Sequence, residues 1–282
     1  MKTVFVVLHY CQIEVTQACV QSLLELEGSK EIVIVDNASP DGSGVILREL
    51  FKDEKLIHVL LNETNEGFAS GNNKGYHFAK AELNPDVVAV INNDTIIEDK
   101  EFLVRLGSLS SLSLCHIIAP DILTYKGIHQ NPHREKGKSL EWYRSMYKRK
   151  KLGKLFYSIP LLYRIRKLDN ELENERVFID ERKEGIVPHG AAVLYTKNWI
   201  ERENFAFYPG TFMYYEEDLL YWYALKRDYI IVYEPSLQIR HMEDMSTNST
   251  HRDVRKRMLF QTTQKLKSIK VIIDYLASDS NQ

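Results

Sequence analysis

Residues 32–43 have the sequence IVIVDNASPDGS, in which an apolar, β-branched run stops at Asp36 and gives way to turn-forming residues. A strand that is buried on both faces has this pattern, because neither face carries alternating polar residues. Similar runs occur at residues 3–8, 57–61 and 87–91. Apolar residues at helical spacing separate the runs, at residues 15–26, 45–51 and 71–81. This alternation predicts an α/β fold with a mostly parallel, Rossmann-like sheet and helices on both faces.

The remainder of the chain predicts further regular structure. We expect strands at residues 191–194, 230–233 and 237–241, a helix at 219–226 and a closing amphipathic helix at 252–276. The chain of 282 residues is long enough for one large α/β domain with an appended part. We predict four parts, with boundaries at 1–124, 125–185, 186–248 and 249–282.

Three of the first four predicted strands end in polar residues, which are His9-Tyr10, Asp36-Asn37 and Asn92-Asn93-Asp94. In an open parallel sheet, ligands bind beyond the carboxyl ends of the strands. Asp36 can accept hydrogen bonds from a ribose or a base, although the segment is equally typical of a plain turn. Asp94 supplies the oxygen ligand that a hard divalent cation prefers, and the alternative is a helix N-cap or a loop.

Residues 65–75, NEGFASGNNKG, place three glycines and three asparagines at the start of a predicted helix. Glycine lets backbone N–H groups approach a ligand, and a helix N-terminus favours an anion. The spacing differs from that of a P-loop. We therefore expect this loop, and Asn65, Gly67 and Asn73 in it, to border a phosphorylated ligand.

Residues 212–220, FMYYEEDLL, place three consecutive carboxylates between aromatic residues and a predicted helix. The helix dipole alone would explain acids in a first turn. Adjacent carboxylates in an aromatic environment also raise one another's pKa values, however, which suits a general base. His241 ends a predicted strand further along, and a lone histidine is more often structural than a metal ligand.

The segment 125–185 has a different composition from its surroundings. Twelve basic residues and two acidic ones occur between positions 133 and 167, interleaved with aromatic residues, and an acidic stretch follows at 169–184. The alternatives are a solvated, charged helix pair that packs its aromatic residues on the main domain, and a surface that binds anionic lipid. Binding to nucleic acid has no motif behind it, and we expect none.

The three cysteines, Cys11, Cys19 and Cys115, form no CxxC pair, and we expect reduced thiols in the core. The net charge of -2 favours no particular partner. No apolar run approaches the roughly 20 residues that span a bilayer. The N-terminus lacks the features of a signal peptide. We expect a cytoplasmic protein that is able to lie on the inner face of the cell membrane.

Six segments together resemble the family 2 glycosyltransferases of the GT-A fold, especially rhamnosyltransferase-like members that build bacterial polysaccharides. They are VDNASPDGS (35–43), NEGFASGNNKG (65–75), INNDT (91–95), HGAAVLY (189–195), FMYYEEDLLYWYALKRDY (212–229) and IRHMEDMST (239–247). The resemblance covers most of the chain outside the basic insertion. It implies an enzyme that transfers a sugar from a nucleotide diphosphate to a hydroxyl of a glycan or lipid-linked acceptor.

The resemblance also implies roles for individual residues. The nucleotide-sugar site would comprise His9, Tyr10, Asp36, Asn65, Gly67, Asn73, Asn93 and Asp94. Asp94 matches the last acid of a metal-binding DxD element, and His241 matches a later histidine ligand for Mn²⁺ or Mg²⁺. Glu216, Glu217 and Asp218 match the segment that holds the catalytic base, with Glu217 at the base position and Asp218 second. The base would deprotonate the acceptor for direct, inverting attack.

The sequence departs from the family pattern at three places. Asn92 replaces the usual first Asp of the DxD element, so the metal site depends on Asp94. Pro209-Gly210-Thr211 replaces an FDE segment, and Leu219 occupies the position of a common later acid. Two other functions stay open at this point. One is a nucleotidyltransferase, although no glycine-rich basic loop follows the first strand, and the other is a non-catalytic, nucleotide-binding partner subunit.

Overall fold

The computed structural model describes residues 1–109, 112–159, 178–242 and 254–278. Its first half is a parallel sheet with the strand order β3-β2-β1-β4. The strands are β1 (Lys2–His9), β2 (Ser29–Asp36), β3 (Ile57–Leu61) and β4 (Val87–Asn92). The intervening helices are α1 (Ile13–Leu24), α2 (Ser43–Leu50) and α3 (Gly67–Phe78), which continues into a π-helical turn at Ala79–Leu83. The predicted α/β alternation is confirmed.

The second half extends the same sheet in the order β4-β8-β6-β9-β5, and β7 pairs with β9. Strand β8 lies antiparallel to both of its neighbours, whereas β6 and β9 run parallel to each other. The strands are β5 (Thr95–Ile96), β6 (Ile117–Thr124), β7 (Lys183–Glu184), β8 (Ala192–Thr196) and β9 (Ile231–His241). The helices are α4 (Phe102–Ser108), α5 (Leu140–Ser158), α6 (Lys197–Arg202), α7 (Glu216–Leu225) and α8 (Val254–Ala277). The result is a mixed, mostly parallel α/β fold.

Apolar layers cover both faces of the sheet. Alternate residues of β1 enter opposite layers, with Val4 and Val6 on one face and Phe5 and Val7 on the other. Each such side chain is fully buried, and burial of a side chain of this size contributes about 1.5–3 kcal/mol. A third cluster joins helices α5, α7 and α8 through Tyr143, Leu219, Ile269 and Ile272. The basic insertion and the C-terminal helix therefore pack against α7.

Strand β9 corrects one prediction. The sequence suggested two strands, at 230–233 and 237–241, because Pro235 interrupts the apolar run. The structure has one strand whose register against β6 shifts between Pro120 and Asp121, so that the extra residues bulge out. The Glu234 carboxylate accepts hydrogen bonds from the N–H and the hydroxyl of Ser236, at 3.3 and 2.6 Å, and thereby replaces ladder bonds within the bulge.

The other predictions for the chain have mixed outcomes. Cys19 and Cys115 are buried free thiols, as expected, while Cys11 is half-buried. Within the described part of the insertion we observe one long helix, α5, which is one member of the helix pair that was the first alternative. Residues 160–177, where a second helix would fall, lie outside the described ranges. No helix among the described residues has the length and apolar character needed to cross a bilayer.

Candidate active site

A cavity of about 400 Å³ opens at the carboxyl edge of the parallel strands. Its strand-end residues include Tyr10, Asn37, Asn93 and Asp94, which follow β1, β2 and β4. The loop before α3 contributes Asn65, Gly67 and Phe68, and the segment before α7 contributes Phe212 and Met213. Helix α8 closes another side with Arg257, Phe260 and Gln261. The cavity lies where the topology of an open α/β sheet places a ligand.

Five of the predicted donor-site residues line this cavity: Tyr10, Asn65, Gly67, Asn93 and Asp94. His9 is fully buried beneath the edge of the sheet, and its ring nitrogens pair with the hydroxyls of Thr16 and Ser43 at 2.7 and 2.8 Å. Burial lowers the pKa of His9, although nearby Asp36 and Asp41 oppose this. His9 therefore connects the starts of α1 and α2 from below the cavity.

Asp36 and Asn73 also use their polar atoms within the protein. Asp36 is 6% exposed, and its carboxylate accepts bonds from the N–H and hydroxyl of Ser39. The Asn73 amide bonds to the backbone of Ala206 and Phe207, and so ties α3 to the segment before α7. Neither residue lines the cavity. We assign Asp36 and Asn73 positions that support the cavity wall.

Asn37 is the buried residue that organises the wall, and sequence analysis did not select it. Its Nδ2 donates to Asn65 Oδ1 and to the Gly67 carbonyl, at 3.0 and 3.1 Å. Its Oδ1 accepts from Asn62 Nδ2 and from the Glu66 N–H, at 3.1 and 3.0 Å. One side chain that is 3% exposed thus satisfies four partners in the loop after β3. This loop conformation depends on Asn37.

The glycines of residues 65–75 have two different roles. Gly67 lines the cavity with φ +81°, and a Cβ there would lie 2.2 Å from the Phe212 carbonyl oxygen. Gly71 and Gly75 instead let α3 approach the sheet, because a Cβ would lie 2.6 Å from Leu8 and 2.4 Å from Val6. Only Gly67 therefore fits the expectation that these glycines border a ligand.

Asp94, which lines the cavity, forms a pair with His241. Strand β5 pairs antiparallel with β9, which sets Thr95 opposite His241 and brings His241 Nε2 to 3.3 Å from Asp94 Oδ1. His241 Nδ1 lies 2.7 Å from Gln130 Oε1, an acceptor, so this nitrogen carries the proton and Nε2 presents a lone pair. Asp94 Oδ1 is buried and accepts no hydrogen bond from the described residues.

These features fit a divalent cation that a substrate helps to bind. A lone pair and a carboxylate oxygen face each other without a hydrogen bond, and an ion between them would satisfy both. The described part of the chain contains no group of three or more His, Cys, Asp or Glu side chains that could hold a metal. Two protein ligands are few, and phosphates and water commonly complete such sites.

The acidic residues lie in the first turn of α7, directly after a strained turn. Tyr214 and Tyr215 both have positive φ values, 75° and 69°. Such a conformation in a non-glycine residue costs on the order of 1 kcal/mol or more, and it occurs mainly at functional sites. It turns the chain sharply enough for Glu216, Glu217 and Asp218 to begin the helix one after another. The three carboxylates therefore point in different directions.

Glu216 and Asp218 are buried, whereas Glu217 is accessible. Asp218 is 1% exposed, and its Oδ1 accepts hydrogen bonds from Arg134 and Tyr143. Glu216 is 3% exposed, and burial raises its pKa to about 7. The side chain of Glu217 is 21% exposed. Burial raises its pKa to about 8, followed by the charges of Asp218 and Glu216. Glu217 thus has both access and the basicity of a general base.

The turn at residues 189–191 lies against both Glu217 and the edge of the cavity. The Ala191 carbonyl accepts a hydrogen bond from the Asn92 N–H at 2.9 Å, next to Asp94. A Cβ at Gly190 would lie 3.9 Å from Glu217 Oε2. His133, His189 and His241 form a row of rings alongside, with centroids 5.6 and 5.8 Å apart. The row runs from Glu217, 3.8 Å from His133, to Asp94.

Comparison with known proteins shows the family to which the chain belongs. A model of the family "Glycosyl transferase family 2" matches residues 3–169. The chain belongs to this family. The low-salt glycan biosynthesis hexosyltransferase Agl10 of Haloferax volcanii is 28% identical over 207 residues, which are 73% of this chain and 56% of that protein. The match therefore spans little more than half of the relative's length.

Solved structures support the fold. S. aureus TarS 1-349 in complex with UDP has a TM-score of 0.55 at 13% identity, over 95% of this chain and 65% of that one. GalNAc-T7 with UDP, GalNAc and Mn²⁺ has a TM-score of 0.56 at 14% identity, over 87% of this chain and 44% of that one. At such identities the likeness shows a shared GT-A architecture, which confirms the fold that the sequence resemblance implied.

The sequence could not identify several residues of this candidate site. Arg257 and Phe260 reach the cavity from a helix that the sequence places far from it. His133 and His189 come from separate segments, and only the pairing of β4 with β8 brings the turn that carries His189 to Asn92. Without contacts between distant segments, no local spacing would have indicated these residues.

Proposed function

We propose that the chain is an inverting glycosyltransferase that moves a sugar from a nucleotide diphosphate to an acceptor hydroxyl. One observation carries the proposal. The Asp94 end of the cavity and the accessible carboxylate of Glu217 both lie against the same short turn, residues 189–191. Direct displacement requires the base and the anomeric carbon of the donor to reach the same acceptor hydroxyl, and we place that hydroxyl beside this turn.

The cavity is proposed to hold the nucleotide diphosphate. Tyr10 and Asn65 offer an aromatic face and an amide to the nucleoside, beside the wall that Asn37 organises. Asp94 and His241 would bind Mn²⁺ or Mg²⁺, and such a cation supplies neutralisation of the charge that develops on the departing diphosphate. Arg257, on the opposite wall, adds a guanidinium that suits phosphate oxygens.

Glu217 is proposed to act on the acceptor. Its carboxylate would take the proton of the attacking hydroxyl, while the oxygen forms its bond to the anomeric carbon and the diphosphate departs with the bonding electron pair. Attack from the side opposite the leaving group inverts the anomeric configuration. Asp218 is a poor candidate for this role, because Arg134 and Tyr143 already bind its buried carboxylate.

The donor is proposed to be a UDP- or dTDP-sugar and the acceptor a glycan or a lipid-linked saccharide, in cell-surface polysaccharide synthesis. Support comes from a relative named as a hexosyltransferase of glycan biosynthesis and from GT-A neighbours that contain UDP. The apolar walls from Phe68, Phe212 and Phe260 suit the base and ribose better than the charged diphosphate.

A panel of UDP- and dTDP-sugars tests this function. Release of nucleotide is measured with Mn²⁺, with Mg²⁺ and after chelation, for the wild type and for Asp94→Asn. We expect release with one donor class, stimulation by the cation, and at least a tenfold loss in the variant. Asp99→Asn, which changes a partly exposed acid outside the cavity, is the control. Binding of UDP without any release would instead favour a non-catalytic partner subunit.

The exposed face of α5 favours a membrane partner. Lys148, Lys151 and Lys154 line a surface groove with Leu152 and Leu155, whose exposures are 58% and 52%. We propose that this face binds anionic lipid, since each lysine near such a surface contributes roughly 1 kcal/mol and leucines insert among the headgroups. A lipid-linked acceptor would be reached from this position.

Flotation with liposomes tests the membrane proposal. The wild type should float with vesicles that contain phosphatidylglycerol and remain unbound with neutral vesicles. Reversal of the three α5 lysines to Glu should abolish flotation. A control reverses three other exposed lysines, Lys52, Lys100 and Lys270. Equal loss in both triple variants would show that net charge, and not this face, is responsible.

A further inference from the structure

The first part of the basic insertion packs against α7. Gly137 lies against Tyr221 and Trp222, where a Cβ would be 2.5 Å from the Tyr221 ring. This close approach brings Arg134 and Tyr143 to the same atom, Oδ1 of Asp218. The Arg134 side chain is 23% exposed and that of Asp218 is 1% exposed. The insertion therefore contributes the partners of a buried acid beside Glu217.

Asp218 depends on these two partners. A buried carboxylate is stable only when charges and hydrogen bonds compensate for its lost hydration. Arg134 supplies the opposite charge, and Tyr143 supplies a neutral hydroxyl. Burial, followed by the charge of Asp218, raises the pKa of Tyr143 well above its usual value, so this hydroxyl remains a donor throughout the working pH range. Asp218 Oδ2 has no hydrogen-bond partner among the described residues.

The same contacts reach Glu217. Arg134 Nη1 donates to His133 Nε2 at 2.8 Å, and that nitrogen lies 3.8 Å from Glu217 Oε1. Glu217 is next to Asp218 in the first helical turn, so a shift of Asp218 moves it directly. The charged and titratable groups near the Glu217 carboxylate are Glu216, Asp218, Arg134 and His133.

We propose that Arg134 and Tyr143 are positioning residues for catalysis: by fixing and compensating Asp218, they hold Glu217 towards the acceptor. The inference rests on the proposed role of Glu217 as the base. It makes the basic insertion a part of the active site, with one end of α5 anchored on the acids and the other end carrying the exposed lysines.

A carboxylate titration followed by ¹³C NMR tests this inference without any need for activity. The Glu217 signal is assigned by its loss in Glu217→Gln, and its pKa is measured in each variant. Arg134→Gln removes a positive charge, so the pKa of Glu217 should rise by about one unit. Asp218→Asn removes a negative charge, so it should fall by about one unit. The double variant Arg134→Gln/Asp218→Asn removes both charges of the ion pair. It therefore leaves no unpaired buried charge that could unfold the protein.

Kinetics supply the second readout. Tyr143→Phe should lower kcat roughly tenfold at an unchanged donor KM, because a displaced base loses alignment with the acceptor. Arg134→Lys should retain more activity than Arg134→Gln. Tyr147→Phe and Arg144→Gln are matched controls on the same helix, one partly buried and one exposed, without a contact to Asp218.

The outcomes distinguish the positioning role of Arg134 and Tyr143 from the proposed role of Glu217 as the base. Opposite pKa shifts in Arg134→Gln and Asp218→Asn, with wild-type values in both controls, support the positioning role. A Glu217 pKa that does not respond to either substitution overturns it. A wild type that transfers no sugar while the pKa shifts appear would refute the proposed function and leave the structural coupling intact. Equal kcat losses in Tyr143→Phe and Tyr147→Phe would reduce Tyr143 to a packing residue.

Discussion

Asn37→Ala should lower the stability of the protein and damage the proposed donor site. The substitution removes four hydrogen bonds, two donated by Nδ2 and two accepted by Oδ1. A hydrogen bond contributes about 1 kcal/mol net, and a buried partner left without one costs more. Asn65 is exposed and recovers water, while Asn62 is buried and does not. We therefore expect a loss of about 2–4 kcal/mol.

The assay combines thermal unfolding with nucleotide binding. For a chain of this size the loss corresponds to a decrease in Tm of roughly 5–15 °C. The loop that carries Asn65 and Gly67 would lose its conformation even below Tm, so the Kd for UDP should rise at least about tenfold. Asn37→Asp is a second variant that should disturb the same loop. Its carboxylate cannot donate, so it would face two acceptors, Asn65 Oδ1 and the Gly67 carbonyl.

Asn198→Ala is the matched control. Its Nδ2 donates to two backbone carbonyls, those of Ser113 and Cys115, far along the chain from the loop after β3. It should lower Tm by a smaller amount and leave UDP binding unchanged. If Asn37→Ala binds UDP as the wild type does, the loop conformation does not depend on Asn37, and our account of the cavity wall is wrong.

Three further predictions concern single sites. Gly67→Ala should lower the free energy of unfolding by about 2–3 kcal/mol and abolish UDP binding, because the Cβ would collide with Phe212. Gly127 is the control: it has φ +78° and open space around it, so Gly127→Ala should lower the free energy of unfolding by only about 1 kcal/mol in the same assay. The Glu217 carboxylate destabilises the folded state as pH rises from its ordinary pKa of 4.5 to about 8, so Glu217→Gln should raise Tm by about 10 °C at pH 8.5 and not at pH 4. A Tm difference at pH 4 would contradict that sign. Arg257→Gln should weaken UDP binding about tenfold in calorimetry and leave uridine binding unchanged, because Arg257 is proposed to bind the diphosphate. An equal loss of affinity for both ligands would show that Arg257 does not bind the diphosphate.

The first half of the fold was predictable because its strands are continuous apolar runs. Strand β3 has the predicted limits, and β1, β2 and β4 differ by a few residues. Strand β6 escaped prediction, since Pro120 and Asp121 interrupt its apolar pattern. Its place is secured instead by pairing with β8 and β9 on either side. Tertiary pairing here overrides a weak local preference.

The site shows a similar division. A carboxyl-edge ligand site followed from the strand ends, and Asp94 lies at it. The sequence could not decide between Asp36 and Asn37, because adjacent residues at a strand end point in opposite directions. Asp36 turns towards Ser39 and α2, and Asn37 turns towards the cavity. The sequence also could not show that the carboxylate of Asp218, the second candidate base, is bound by other side chains, because its partners, Arg134 and Tyr143, are more than seventy positions away.

The central claim is that Glu217 is the base of a sugar transfer whose donor binds in the cavity beside Asp94. It is tested most directly by the rate of transfer by Glu217→Gln, measured with donor and acceptor at saturation. Loss of a general base predicts a kcat at least about a hundredfold lower, with the Kd of the donor unchanged, since Glu217 does not line the cavity. A kcat within twofold of the wild type would contradict the claim.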